Sequence, residues 1–204
     1  LFERGYRVIL CNSANNAEKE RDYVQMLLAN QVDGIITGTH NLTIKEYEKI
    51  SAPIISFDRK LGNSIPIVSS DNYEGGKMAT SSLIQTGAKD IWIITGANHP
   101  ETPTNDRLRA YQDVMKKHHL ATHQLEFPFS TAPELKWASI RKELEKKIPD
   151  AIFTTDDMTA LMVQELAVQK GIRIPKDMRL IGYDGTTLVR NYHPSLATII
   201  QPVA

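Results

Sequence analysis

The sequence predicts an α/β protein of parallel sheets flanked by helices, divided into two lobes. Three observations carry this. Short β-branched runs recur that are too apolar to alternate, as strands covered on both faces are. Between them lie segments whose starts and ends carry helix signals. The two kinds of segment alternate at a spacing that fits βαβ units.

Taken in order, the chain opens Leu1-Phe2-Glu3-Arg4-Gly5, which reads as the last turn of a helix closed by glycine. With neither an initiator Met nor a leader, this opening is expected to be a cut inside a longer protein. The strand candidates are Val8-Ile9-Leu10, Gly34-Ile35-Ile36, Pro53-Ile54-Ile55, Ile65-Pro66-Ile67-Val68, Ile91-Trp92-Ile93-Ile94, Ala151-Ile152-Phe153 and Leu180-Ile181. Thr43 with Glu46, Asp71 with Glu74, and Thr131 with Glu134 each place a cap oxygen three residues before a carboxylate, the spacing of a capping box. Gly87 and Gly171 stand where a left-handed residue closes a helix. The loop Gly96 to Thr104 and the closing segment Pro194 to Pro202 suggest the lobes: 1–85, then 86–200, with 201–204 returning to the first.

Composition narrows the partners. Of 204 residues, Lys and Arg number 24 and Asp and Glu 24, so no global positive field exists to hold a polyanion. Hydrophobic residues at 41% and charged at 24% match an ordinary globule, and no apolar run reaches the roughly 18 residues that span a bilayer. The lone cysteine, Cys11, has no partner for an intrachain disulfide and, inside an apolar run, reads as a small buried hydrophobe.

In an open α/β sheet, ligands bind beyond the carboxyl ends of the strands. The residues there are Asn12-Ser13, Thr37-Gly38-Thr39-His40, Asp58-Arg59, Ser69-Ser70-Asp71, Thr95-Gly96, Thr154-Thr155-Asp156-Asp157 and Tyr183-Asp184. Carboxylates accept from the hydroxyls of a polyol, Arg donates to its oxygens, and an aromatic face packs on the ring, so this inventory suits a sugar better than a phosphate. The plainer readings stand beside it. Asp71, Asp156 and Asp157 are each the residue type that caps a helix, Asp184 suits a turn, and Asp58-Arg59 suits a surface ion pair.

Other chemistries find less. Neither a phosphate loop with Lys-Ser/Thr nor a complete G-x-G-x-x-G occurs. His119 and His123 have the spacing of two metal ligands on a helix but lack a third, and a helix terminus explains His118-His119 more simply. Asp156-Asp157 could be an acid/base pair, yet no nucleophile is recognisable. Arg141-Lys142 and Lys146-Lys147 alternate with Glu143 and Glu145, a solvated helix face.

Seven stretches, in order, match one known family: Gln31-Val32-Asp33-Gly34-Ile35-Ile36, Pro53-Ile54-Ile55-Ser56-Phe57-Asp58-Arg59, Val68 through Gly76, Arg107-Leu108-Arg109-Ala110-Tyr111, Thr155 through Ala160, Ile181-Gly182-Tyr183-Asp184 and Pro194 through Pro202. Over essentially its whole length the chain resembles the effector-binding core of LacI/GalR-type transcriptional regulators, a two-lobed periplasmic-binding-protein-like fold. The stretch from Cys11 to Asn41 is most similar to regulators of sucrose and related sugar operons.

The resemblance implies a non-enzymatic, cofactor-free and metal-free domain in which a sugar or sugar phosphate, held between the lobes, shifts operator affinity. By it, Asp71, Arg107, Asp156 and Asp184 fall on effector-binding positions, Phe129 falls where an aromatic often meets the sugar, and Gln201 sits at the returning crossover. Ala110 stands where the family usually has Gly, a departure expected to alter helix packing more than binding. Asp156 replaces an Asn of several members, which disfavours an anionic effector. The resemblance also places the DNA-reading helix-turn-helix and the first strand of the amino-terminal lobe upstream of residue 1, and implies a cytoplasmic homodimer with no membrane partner. The alternative within the same fold is a transport-linked sugar receptor, marked by a signal peptide in place of the helix-turn-helix.

Overall fold

The computed structural model describes residues 2–39, 41, 44–97 and 102–202. Internal contacts divide the chain into two units, Leu1–Ser69 and Ser70–Ala204. The division therefore precedes the helix Asn72–Gln85, where the pattern of the sequence put it near residue 86. The reason is close backbone packing: a Cβ on Gly76 of that helix would stand 2.7 Å from the Arg107 carbonyl oxygen of a later helix. The Gln201 N–H donates to the Asp184 carbonyl at 3.0 Å.

The first unit contains α1 (Ala17–Ala29) and the strands β1 (Ile35–Thr37), β2 (Ile54–Phe57) and β3 (Ile67–Val68). The strands form a parallel sheet in the order β1-β2-β3. Asn16 starts α1 by accepting the Lys19 N–H on its side chain, with Glu18 and Glu20 in the first turn beside the positive end of the helix dipole. On one side of the sheet lies a small core of Val24, Ile44, Tyr47 and Ile65, against which Ile54 packs. On the other, the register partners Ile36 and Ile55, and Phe57 and Val68, all stand exposed, Ile36 at 73%. Val8-Ile9-Leu10, expected as a strand, pairs with no described strand, and Leu10 is 92% exposed. A strand persists only as a member of a ladder that satisfies its peptide groups, and here none is supplied. Cys11 is half-buried, not buried. Thr43 of the expected capping box lies outside the described residues, and its partner Glu46 lies in a 3-10 turn, Lys45–Lys49.

The second unit runs α2 (Asn72–Gln85), β4 (Ile91–Gly96), α3 (Asp106–Lys117), β5 (His123–Phe127), α4 (Pro133–Lys146), β6 (Ala151–Thr154), α5 (Asp157–Gln169), β7 (Arg179–Asp184), α6 (Thr187–Tyr192) and β8 (Ala197–Ile200). Its five strands are parallel in the order β5-β4-β6-β7-β8. The interior strand β4 alternates between two cores. Ile91 and Ile93 join Phe153, Leu83, Tyr111 and Met115 beneath α2 and α3, whereas Trp92 and Ile94 join Ile152, Ile140, Val163 and Leu166 beneath α4 and α5. With both faces covered, β4 reads as an unbroken apolar run. The chain leaves β4 toward β5 on one side and returns to β6 on the other, so the strand order reverses at β4/β6, the point past whose strand ends ligands bind in open α/β sheets.

The helix signals fare unevenly. Asp71 caps α2 through the Glu74 N–H at 2.9 Å, and Gly87 and Gly171 sit at φ +89° and +67° behind α2 and α5. Thr131 does not cap α4: Ala132 precedes Pro133, and no side-chain bond is made. A proline in the first turn lacks the N–H and presets φ, so the helix starts without a capping side chain.

Candidate functional site

The strand ends at the reversal point are polar. Thr95 is the next-to-last residue of β4 and Thr155 follows β6; both are buried, and the Thr155 hydroxyl donates to that of Thr95 at 3.2 Å. Beside them lies Arg107, in the first turn of α3 and only 5% exposed. Its Nε donates to Asn72 Oδ1 at 2.7 Å and its Nη1 to the Thr155 carbonyl at 2.6 Å. The guanidinium carbon lies 3.7 Å from the centre of the buried Tyr183 ring. A buried cation needs such compensation on every side. Among the described residues no acceptor reaches Nη2, which leaves that end available to a ligand oxygen.

Asp184 ends β7 at 3.5 Å from Arg107 Nη1. Its φ of 117° is left-handed, and the following Gly185 sits at φ 59°. Its Oδ1 accepts the Gln201 side-chain amide at 2.7 Å, and the Gln201 Oε1 in turn accepts the Ser70 hydroxyl at 2.8 Å. No donor among the described residues reaches Oδ2. Burial lifts the Asp184 carboxyl to about 6, against the lowering pull of Arg107 and the Gln201 bond, and Asp157 and Asp156 add to the lift. Arg107 loses that contest because 3.5 Å is a loose ion pair and its Nη1 is already committed to the Thr155 carbonyl.

The structure thus brings Arg107, Asp184 and Gln201 together, and it sets Asp71 and Asp156 one residue from the cluster, beside Asn72 and Thr155. Asp71 is exposed and Asp156 half-buried. Both perform the capping role: Asp156 Oδ1 accepts the Thr159 N–H and Oδ2 the Thr159 hydroxyl, each at 2.7 Å, with Lys136 Nζ 3.9 Å away. Phe129 lies in the turn between β5 and α4 and is 63% exposed.

Two carboxylates carry roles the sequence did not disclose. Asp157, first residue of α5, is buried and accepts the Gly185 N–H and the Thr198 hydroxyl. In the first unit the buried Glu20 collects the hydroxyls of Ser13, Thr39 and Tyr47 and the Asn41 amide, binding the segments on either side of α1 to the end of β1. Glu20 and burial together push the Tyr47 phenol up from its usual value. Nothing in the run Glu18-Lys19-Glu20-Arg21-Asp22 marks the middle member as buried.

Two of the rival readings fail. Asp58 is not a surface ion-pair member: it is buried at φ 54°, its Oδ1 has no hydrogen-bond partner among the described residues, and Arg59 donates to its carbonyl. His123 is not on a helix with His119. It begins β5 and stacks on Trp92 with ring centres 4.1 Å apart, while His119 turns at φ 56° behind α3. The described residues hold no group of three or more His, Cys, Asp or Glu arranged to take a metal, and no helix among them is long and apolar enough to cross a membrane.

A family model described as a periplasmic binding protein-like domain matches residues 80–204. The sucrose operon repressor of Pediococcus pentosaceus is 50% identical over 204 residues, covering 100% of this chain and 63% of that protein. That of Streptococcus mutans serotype c is 48% identical over 209 residues, covering 100% and 62%. The chain thus spans less than two thirds of either repressor. Among solved structures, a periplasmic binding protein/LacI transcriptional regulator from Alkaliphilus metalliredigens, complexed with D-xylulofuranose, is 30% identical with a TM-score of 0.83, covering 98% of this chain and 75% of that one. With a parallel sheet that reverses at β4/β6, and with these likenesses, the chain belongs to the periplasmic-binding-protein-like family of LacI-type regulators.

Proposed function

We propose that this chain is the effector-binding portion of a sugar-responsive repressor, and that a sugar binds at the Arg107–Asp184–Gln201 cluster. The observation that carries the reading is a donor and an acceptor left open on neighbouring side chains: Arg107 Nη2 and Asp184 Oδ2 have no partner among the described residues, while every other polar atom of the pair is engaged. A guanidinium edge and a carboxylate oxygen on side chains that approach to 3.5 Å suit neighbouring hydroxyls of a carbohydrate, one accepting and one donating. Asp71, Asp156 and Phe129 belong to the periphery of this site in our reading. The relatives named as sucrose operon repressors support a regulator over a transport receptor, and a bound sugar that is a signal, not a substrate.

Operator DNA is then met by a helix-turn-helix upstream of this chain, in keeping with its balanced charge of 24 against 24 and with a cytoplasmic protein. Binding resets operator affinity through the difference in sugar affinity between two arrangements of the protein, a coupling typically of about 1 to 3 kcal/mol. A homodimer forms in this reading through the apolar groove of about 410 Å³ lined by Met158, Leu161, Leu188, Val189, Tyr192 and His193, where Tyr192 is 75% exposed.

A thermal-shift panel of sugars and their phosphates, run on the wild type and on Asp184→Asn, tests the site. Asn keeps the volume and tolerates a left-handed φ, so the fold is retained. A sugar at a hundred times its Kd stabilises by about 2.7 kcal/mol, a rise of roughly 5 to 10 °C for a chain of this size. That rise is expected in the wild type and largely lost in the variant. An equal rise in both overturns the site.

A further inference from the structure

We propose that Asp157 is the positioning residue that holds Asp184 in its sugar-accepting conformation. The proposal rests on the reading of the Asp184 cluster as the effector site and adds a residue that touches no ligand. The peptide group joining Asp184 to Gly185 is gripped at both ends. Its carbonyl accepts the Gln201 N–H at 3.0 Å, and its N–H donates to Asp157 Oδ2 at 2.8 Å. With that plane fixed, Asp184 is held at φ 117° and its side chain is delivered toward Arg107 and Gln201. Left-handed backbone at a non-glycine residue persists only where its surroundings over-determine it.

The cost of the device shows in how Asp157 is kept. It is 2% exposed, and no cation pairs with it among the described residues. Its charge is met by the Gly185 N–H, by the Thr198 hydroxyl at 2.5 Å from Oδ1, and by its place in the first turn of α5, where the helix dipole favours an anion. Room for it exists because residue 182 is glycine: a Cβ there would overlap Asp157 Oδ1. Asp157 thereby links α5, the β7–α6 turn and β8. Its neighbour Asp156, by contrast, is occupied with Thr159.

The test compares Asp157→Ala, Asp157→Asn and Thr198→Val. Asn keeps an acceptor for the Gly185 N–H, and Thr198→Val removes the other arm only. The first readout needs no ligand: the Gln201 side-chain amide in ¹H–¹⁵N NMR spectra, assigned with Gln201→Met. It is expected to collapse to the position of a free amide in Asp157→Ala and to stay in place in the other two variants, with the rest of each spectrum dispersed. The second readout is affinity for sucrose and D-fructose, expected to fall more than tenfold in Asp157→Ala and less than threefold in the others. An unmoved Gln201 amide in Asp157→Ala, or an equal displacement in Thr198→Val, overturns the proposal. Should Asp157→Ala fail to fold, hydrogen exchange of the wild-type Gly185 amide decides: protection above a hundredfold supports the clamp, and unprotected exchange overturns it. If neither sugar binds the wild type while the amide behaves as expected, the effector reading falls and the clamp stands.

Discussion

Replacing Arg107 by Met should cost this protein much of its stability before any question of ligand arises. The substitution keeps the apolar stem but removes every donor. Asn72 Oδ1 and the Thr155 carbonyl, both in buried surroundings, lose bonds of 2.7 and 2.6 Å. Each orphaned acceptor costs about 1 to 3 kcal/mol, and the guanidinium stacked 3.7 Å from the Tyr183 ring adds roughly 1 to 2 kcal/mol. Removing the 3.5 Å partner of Asp184 also leaves that half-buried carboxylate without its cation. Since Asp184 can take up a proton near pH 6, only part of that loss adds to the sum. The total is about 3 to 8 kcal/mol, a large share of the roughly 5 to 15 kcal/mol that keeps domains folded. Arg107→Lys should recover no more than part of it, because an ammonium cannot serve two divergent acceptors and stack at once. Urea unfolding followed by the fluorescence of Trp92 and Trp137 measures the difference. A loss below about 1 kcal/mol in Arg107→Met would refute the account of Arg107 as a structural cation. The same arithmetic explains why loss of a sugar response in an Arg107 variant, taken alone, says little about ligand contact.

Two further predictions follow from neighbouring geometry. In Gly76→Ala the new Cβ would meet the Arg107 carbonyl oxygen at 2.7 Å and the Ala110 Cβ at 3.1 Å, and backbone cannot give way cheaply, so overpacking of about 1 to 3 kcal/mol should outweigh the ~1 kcal/mol of helix propensity gained; a melting temperature at or above wild type would contradict this. Asp184, lifted to about 6 from an ordinary 3.8, is harder to ionise folded than unfolded, so its contribution is full below pH 3.8 and declines as pH rises through 6. Discounted for a side chain one third exposed, the change is about 1 to 2 kcal/mol, and the stability of Asp184→Asn relative to wild type should rise by that amount between pH 4 and 7, whereas sugar affinity of the wild type should strengthen over the same range. A difference that stays flat across the series would remove the perturbed carboxyl.

What the sequence disclosed follows from where burial is two-sided. β4, β6 and β7 are apolar without interruption because helices cover both faces, and the runs at 91–94, 151–153 and 180–181 mark them. The edge strand β5 escaped the same reading because His-Gln-Leu-Glu-Phe is covered on one face only and alternates, and a search for apolar runs passes over it. The opposite error occurred at Val8-Ile9-Leu10, where an apolar run has no strand among the described residues to pair with. Ala110 illustrates a middle case: the departure from the family's usual glycine was visible, and in the structure its Cβ faces Gly76 of α2.

The carboxylates at the strand ends were the least legible part, and the reason is general. Asp71, Asp156, Asp157 and Asp184 are alike as residue types, and three of them precede or open helices. What separates them is which donors reach each oxygen. Asp156 spends both oxygens on Thr159, Asp157 spends both on Gly185 and Thr198, and Asp71 gives one to Glu74 at the surface. Asp184 alone combines burial, a nearby cation and an oxygen that no described donor reaches. Donor supply depends on tertiary neighbours such as Gln201 and Ser70, which are 17 and 131 residues from their partners, so local pattern could name the four candidates but not divide the labour among them. By the same logic the acidic count at this site overstates its hostility to anions. In the proposed site, Asp71 and Asp156 face the backbone N–H groups of the helix ends they cap, so Asp184 and Arg107 set the charge a ligand would meet first.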